Sequence, residues 1–120
     1  MPTLNLVTNV KLDDPRAFIT EFSKFGADTL NKPEQYISVI FTYNELVTFA
    51  GTFDPAFSLR IDSLDNISEQ QNEGYSKAFF EFFEEKLGTK GNRGYVTYID
   101  PGRPNMGFES TTFATIFGKN

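Results

Sequence analysis

Residues 57–99, FSLRIDSLDNISEQQNEGYSKAFFEFFEEKLGTKGNRGYVTYI, decide the fold, because they read as a strand, a helix and a second strand in succession. Phe57, Leu59 and Ile61 alternate with Ser58, Arg60 and Asp62, the period-two pattern of a half-buried strand, here running to Leu64. Ser68-Glu69-Gln70-Gln71 is a capping box. Tyr75, Ala78, Phe79, Phe82, Phe83 and Leu87 then recur at helical spacing until Gly88 supplies a left-handed stop. Glu81, Glu84, Glu85 and Lys86 fall on the opposite, solvated face. Gly94-Tyr95-Val96-Thr97-Tyr98-Ile99, aromatic and β-branched, is the returning strand.

The first half repeats the plan. A strand covers Pro2 to Asn9, and Asp14-Pro15 gives an N-cap followed by proline at the first helical position. Phe18, Ile19, Phe22, Phe25 and Leu30 share one face of a helix expected from Pro15 to Leu30, and Lys32-Pro33 ends it. Tyr36 to Tyr43 reads as the next strand, Asn44-Glu45 as a turn, and Leu46 to Ala50 as a short partner strand closed by Gly51. After Ile99, Asp100-Pro101-Gly102-Arg103-Pro104 is a rigid loop, and Thr112 to Phe117 is expected to add a short terminal strand. Lysines follow both helices (Lys32, Lys90), and tyrosines open both following strands (Tyr36, Tyr95).

The expected architecture is α+β, a two-layer α/β sandwich within a single domain spanning 1–120, with pseudo-repeats over about 1–50 and 56–117. Two right-handed βαβ units share one four-stranded mixed sheet, and both helices pack on one face. Ile37-Ser38-Val39-Ile40-Phe41 is apolar on both sides, the pattern of a sheet covered twice. With two helices in the chain, the second cover is expected from other subunits, in an oligomer that turns its sheets inward.

Composition excludes several chemistries. The 120 residues carry a net charge of -5, which leaves no basic patch for nucleic acid or an anionic membrane. Cysteine and histidine are both absent, so thiolate nucleophiles, disulfides, imidazole bases and Cys- or His-ligated metals are excluded together. No cofactor or metal is implied. Fourteen Phe and five Tyr are a large ring surface for so small a body, part of it expected in a pocket or an interface. No basic leader and no long apolar run is present, which sets a cytoplasmic location as the expectation, with any export by an unconventional route.

Without histidine or cysteine, proton transfer falls to carboxylate, lysine, tyrosine or a terminal amine. Pro2 stands out. If Met1 is removed, Pro2 presents a secondary amine at the start of a strand, and an apolar pocket or a nearby cation would lower its pKa from about 8 toward neutrality. An amine so tuned can take and return protons at physiological pH.

Read together, Met1-Pro2 leading into Thr8-Asn9-Val10, Asn31-Lys32-Pro33-Glu34-Gln35-Tyr36-Ile37-Ser38-Val39, Phe49-Ala50-Gly51, Tyr75-Ser76-Lys77, and Gly107-Phe108-Glu109-Ser110-Thr111-Thr112-Phe113-Ala114 resemble the macrophage migration inhibitory factor and D-dopachrome tautomerase family. The resemblance covers nearly the whole chain. It implies a homotrimer whose sheets form a central barrel, and a keto-enol tautomerase (an isomerase) acting on phenylpyruvate-type α-keto acids or dopachrome. Pro2 would be the general acid/base. Lys32 would hold the substrate carboxylate, Ser63 and Leu64 would give a backbone contact and an apolar wall, and Tyr36, Met106, Phe108 and Phe113 would form the aromatic rim. Tyr95, with Thr97, would reach across from the neighbouring subunit.

The chain departs from that pattern at Thr97, where many members carry asparagine, so substrate orientation by hydrogen bonding differs. Leu64 and Phe108 stand where isoleucine and tryptophan are frequent, keeping apolar character. The Cys-x-x-Cys of some members falls at Ala56-Phe57-Ser58-Leu59, which excludes thiol-disulfide activity. Arg103 reads as a surface salt bridge ahead of a ligand contact, and Asp62 as structural. Beside the enzyme stands a second function: a cytokine-like or intracellular interaction module with an idle pocket, whose partner would be a protein receptor.

Overall fold

The computed structural model describes residues 2–119; the expectation that Met1 is removed concerns a residue outside the described ones. Strands β1 (Thr3–Thr8), β2 (Ser38–Tyr43), β3 (Phe57–Asp62) and β4 (Gly94–Ile99) form one sheet in the order β2-β1-β3-β4. The pairs β1/β2 and β3/β4 are parallel, as a βαβ crossover requires, and β1/β3 is antiparallel where the two units meet. The mixed sheet and its two long helices, α1 (Pro15–Leu30) and α2 (Glu69–Leu87), are those the sequence predicts.

Both helices start as their caps dictate. The Asp14 carboxylate accepts from the Ala17 N–H at 3.1 Å, and the Ser68 hydroxyl accepts from the Gln71 N–H at 3.2 Å. Phe18, Phe22, Ala27 and Leu30 of α1 and Tyr75, Phe79, Phe82, Phe83 and Leu87 of α2 bury themselves against Leu4, Leu6, Phe57, Leu59 and Ile61 of the sheet. Ring packing ties the helices together, with Phe25 and Phe82 stacked at 4.3 Å and Phe22 and Phe82 at 5.6 Å. Gly26 lets α1 lie directly on β1, since a Cβ there would sit 2.5 Å from Leu4 Cδ1. On the outer surface Lys86 bridges to Glu21 at 3.0 Å, so this part of the solvated face also joins the helices.

Three expected elements differ. Tyr36 does not open β2: Glu34–Tyr36 is a 3-10 turn in which the Tyr36 N–H donates to Pro33 O at 3.0 Å and the Ile37 N–H to Glu34 O at 2.9 Å. Leu46 to Ala50 is not a strand but a turn followed by a tight reversal. The Asn44 side chain accepts from the Leu46 N–H at 2.9 Å, and Ala50 and Gly51, both at positive φ, close one bridge between Phe49 and Thr52. Thr112 to Phe117 is not a strand either. Glu109 and Ser110 at positive φ fold Gly107–Phe108 (β5) onto Thr111–Thr112 (β6), and Phe113–Phe117 (α3) is a helix that stacks Phe113 on Phe117. β3 also stops short of Leu64, at Asp62.

The helix-free face of the sheet is mixed, which corrects the expectation of strands apolar on both sides. Its rows read Ile40, Asn5, Arg60, Thr97 and Thr42, Val7, Ser58, Tyr95, and Arg60 pairs with Asp62 on it at 3.2 Å. Ile40 and Tyr95 remain exposed there. No described helix is long and apolar enough to cross a membrane.

Candidate active site

The site grows from the N-terminal end of β1. Pro2 is fully buried, and its carbonyl accepts from the Ser38 N–H at 3.0 Å, which extends the β1/β2 pairing by one step and fixes the residue in place. It lines a cavity of about 340 Å³ together with Tyr36, Ser38, Met106, Phe108 and Phe113. The turn at Glu34–Tyr36 is what brings the Tyr36 ring to this cavity, where it meets Phe108 edge-on at 6.1 Å. Phe108 stacks on Phe113 at 5.6 Å with planes 6° apart. The tight turn at Glu109-Ser110 and the bond from the Phe113 N–H to Met106 O at 3.1 Å hold those two rings in register.

Lys32 arrives from the end of α1. Asn31 takes the left-handed conformation at φ 54°, a conformation asparagine tolerates, and the Lys32 N–H reaches back to Ala27 O at 3.0 Å. The chain thereby turns so that the Lys32 ammonium donates to Leu64 O at 3.2 Å. Among the described residues no carboxylate pairs with Lys32. Register brings Ser63 and Leu64 to this same end of the sheet, because Thr3 pairs with Asp62. Ser63 and Leu64 are both fully buried, and among the described residues Ser63 Oγ has no hydrogen-bond partner.

Two expected residues stand apart. Tyr95 lies in the row of Val7 and Ser58, some five residues along β1 from Pro2, or roughly 17 Å at the rise of a strand. It is 71% exposed, with its ring against Phe49 at 5.1 Å. Thr97 is exposed on the helix-free face beside Arg60. Neither can serve Pro2 of its own chain. The cavity also takes in Gln35 and Ile37, which sequence reasoning did not single out although both flank Tyr36. A larger cleft of about 440 Å³ between α1 and α2 is lined by Glu21, Lys24, Phe25, Ala78, Glu81, Phe82, Glu85 and Lys86, and shares no residue with the Pro2 cavity.

Chemically, the cavity combines buried Pro2 with a wall of rings; Lys32, whose ammonium is held at the Leu64 carbonyl, and Ser63 and Leu64 are not among the residues that line it. Among the described residues no group of three or more His, Cys, Asp or Glu is arranged to hold a metal ion.

The sequence profile of the family described as macrophage migration inhibitory factor (MIF) matches residues 1–114. The macrophage migration inhibitory factor of Rattus norvegicus is 34% identical over 115 residues, covering 95% of this chain and all of that protein. The macrophage migration inhibitory factor homolog of Trichuris trichiura is 32% identical, with 94% of this chain and all of that protein covered. Among solved structures, the macrophage migration inhibitory factor of Trichinella spiralis superposes with a TM-score of 0.87 at 28% identity, over 92% of this chain and 99% of that one.

Proposed function

The chain belongs to the macrophage migration inhibitory factor family, and from that premise we propose that it is a tautomerase, an isomerase that interconverts the keto and enol forms of phenylpyruvate-type α-keto acids or a dopachrome-like substrate. The observation that carries the reading is the single cavity wall shared by buried Pro2 and the rings of Tyr36, Phe108 and Phe113.

With Met1 removed, the Pro2 nitrogen has a basic lone pair. It takes a proton from the carbon beside the substrate carbonyl; the electron pair of that C–H bond becomes the carbon–carbon double bond of the enol. The carbonyl oxygen then receives the proton, and the reverse sequence returns the keto form. Lys32 anchors the substrate carboxylate, and its positive charge lowers the pKa of the Pro2 amine. Ser63 and Leu64 close the carboxylate end, and the rings hold the aromatic group in a reactive orientation. The assembly is a homotrimer in the cytoplasm, and Tyr95 and Thr97 complete the site of the neighbouring subunit. Their distance from Pro2 of their own chain supports that arrangement.

The test is an assay of purified protein on enol phenylpyruvate and on a dopachrome methyl ester, with the N-terminal residue identified by mass. Ketonisation above the uncatalysed rate, lost in Pro2→Gly, is expected. A protein with Pro2 at its terminus and no activity on either substrate sinks the proposal.

A second reading is a receptor-binding role with the pocket idle, leaving the cell by an unconventional route if it acts outside. It is favoured by what the relatives are named for, inhibition of macrophage migration. Receptor engagement undiminished in an inactive Pro2→Gly protein separates it from the first.

A further inference from the structure

The aromatic wall of the cavity does not stop at Phe113. That ring stacks on Phe108 on one side and on Phe117, at 5.2 Å, on the other. Phe117 is the last residue of α3 and lies past residue 114, where the family match ends. A helix of one turn does not hold itself, and its final carbonyls need donors. Arg103 supplies them. Its Nη1 donates to Phe117 O at 3.0 Å and to Gly118 O at 2.8 Å, Nε donates to Asp65 Oδ2 at 3.0 Å, and Nη2 lies in an ion pair with the same oxygen at 2.9 Å. The guanidinium also lies 5.7 Å from the centre of the Phe117 ring. One planar fork thus grips a loop carboxylate, two helix-end carbonyls and a ring face, which a lysine ammonium cannot do together.

We propose that Arg103 is a positioning residue for the cavity. By clamping the turn after Phe113 it sets where Phe117 lies and, through the stacked rings, where Phe113 and Phe108 lie. The segment beyond residue 114 therefore fixes the wall against which an aromatic substrate rests. The substrate half of this inference rests on the tautomerase reading, and the ring geometry does not. Phe117 and Ile116 are partly exposed and outside the main core, so losing the clamp loosens the wall without unfolding the domain.

The experiment compares wild type, Arg103→Ala, Phe117→Ala, Phe117→Tyr and a chain ending at Ala114. Each is assayed with enol phenylpyruvate and with a small aliphatic enol α-keto acid. A parallel set carries Phe108→Trp, the single tryptophan in a chain that otherwise has none and excited selectively over its five tyrosines, for acrylamide quenching. Arg103→Ala, Phe117→Ala and the shortened chain should raise KM for the aromatic substrate by about fivefold, the scale of one lost aromatic pair. Their kcat, pH profile and aliphatic KM should match wild type, and quenching of the reporter should increase. Phe117→Tyr keeps the ring and should behave as wild type. Arg103→Ala combined with Phe117→Ala should be no worse than Phe117→Ala alone, because both act through one contact. In an active protein, an unmoved aromatic KM in Arg103→Ala overturns the inference, as does an equal loss on both substrates with an altered pH profile. Increased quenching in Arg103→Ala of a protein whose wild type has no tautomerase activity leaves the clamp standing and removes the tautomerase reading instead.

Discussion

The Lys32 ammonium lies 3.2 Å from the carbonyl oxygen of Leu64, a neutral acceptor that leaves its charge uncompensated by any described carboxylate. A carboxylate ligand entering here gains an ion pair without displacing one. Lys32→Ala should therefore raise KM for an acidic substrate by roughly thirtyfold, the scale of a charge-assisted hydrogen bond of about 2 kcal/mol. A methyl ester of the same ring should lose far less. The pKa read from the pH profile should rise, since a cation beside the amine is gone. Equal losses on acid and ester with an unchanged profile would make Lys32 a surface lysine.

Pro2→Gly, or a protein that retains Met1, should lose about 10²- to 10⁴-fold in kcat, the range of general acid–base catalysis. Retained methionine turns the nitrogen into an amide without a basic lone pair. Native mass should report the same assembly for both forms, because the Pro2 carbonyl bond to Ser38 survives. Full activity in a protein that demonstrably carries Met1 would end the assignment.

Tyr95 is too far along the sheet to meet Pro2 of its own chain. If it serves a neighbour, Pro2→Gly and Tyr95→Ala oligomers are each impaired at every site, and co-refolding the two restores boundaries at which both residues are intact. Specific activity of the mixture should exceed the mean of the parents. Mean activity from verified mixed oligomers, with Tyr95→Ala itself impaired, would show that the two residues act within one chain.

Burial raises the Tyr98 hydroxyl above its ordinary pKa, while its hydrogen bond with Ser76 pulls the other way and Tyr75 adds to the rise; Tyr75 is itself raised by burial. The native state thus holds phenol protons that the unfolded chain releases above about pH 10. The contribution is complete below that pH and is lost as pH rises through the folded-state pKa. Thermal denaturation from pH 8 to 11 should give a steepening fall in Tm, shallower in Tyr98→Phe. Parallel curves for the two proteins would contradict it.

The parts of the fold legible in the sequence are those fixed by local chemistry. Asp14-Pro15 and the Ser68 capping box mark the starts of α1 and α2, and the spacing of their phenylalanines gives the buried faces. What escaped was short and set by turns. Ala50, Glu109 and Ser110 adopt positive φ without being glycine, so nothing in their side chains announces the reversals that replace two expected strands. In the candidate site, Pro2 draws attention because a chain without histidine or cysteine has few bases to offer, whereas the Tyr36, Met106, Phe108 and Phe113 rim comes from family resemblance; the structure lines one cavity with all five. Arg103 reads as an ion-pairing arginine and indeed pairs with Asp65. Its grip on Phe117 and Gly118 depends on where α3 folds, a tertiary fact with no local signature.

The antiparallel seam between β1 and β3 relates the two βαβ units by an approximate half-turn, so the corner that holds Pro2 has a counterpart before β3 at Ala56. Lys90 there stands after α2 as Lys32 stands after α1, and a cleft of about 430 Å³ lies beside it. Yet residue 56 is mid-chain, and its nitrogen is an amide that donates to Asn9 Oδ1 at 2.9 Å. Arg93 fastens the adjoining loop through the carbonyls of Phe49 and Asp54, at 2.7 and 2.8 Å. The duplication therefore yields two similar corners of unequal chemistry, and a titration with a tight acidic inhibitor should saturate at one equivalent per chain, not two.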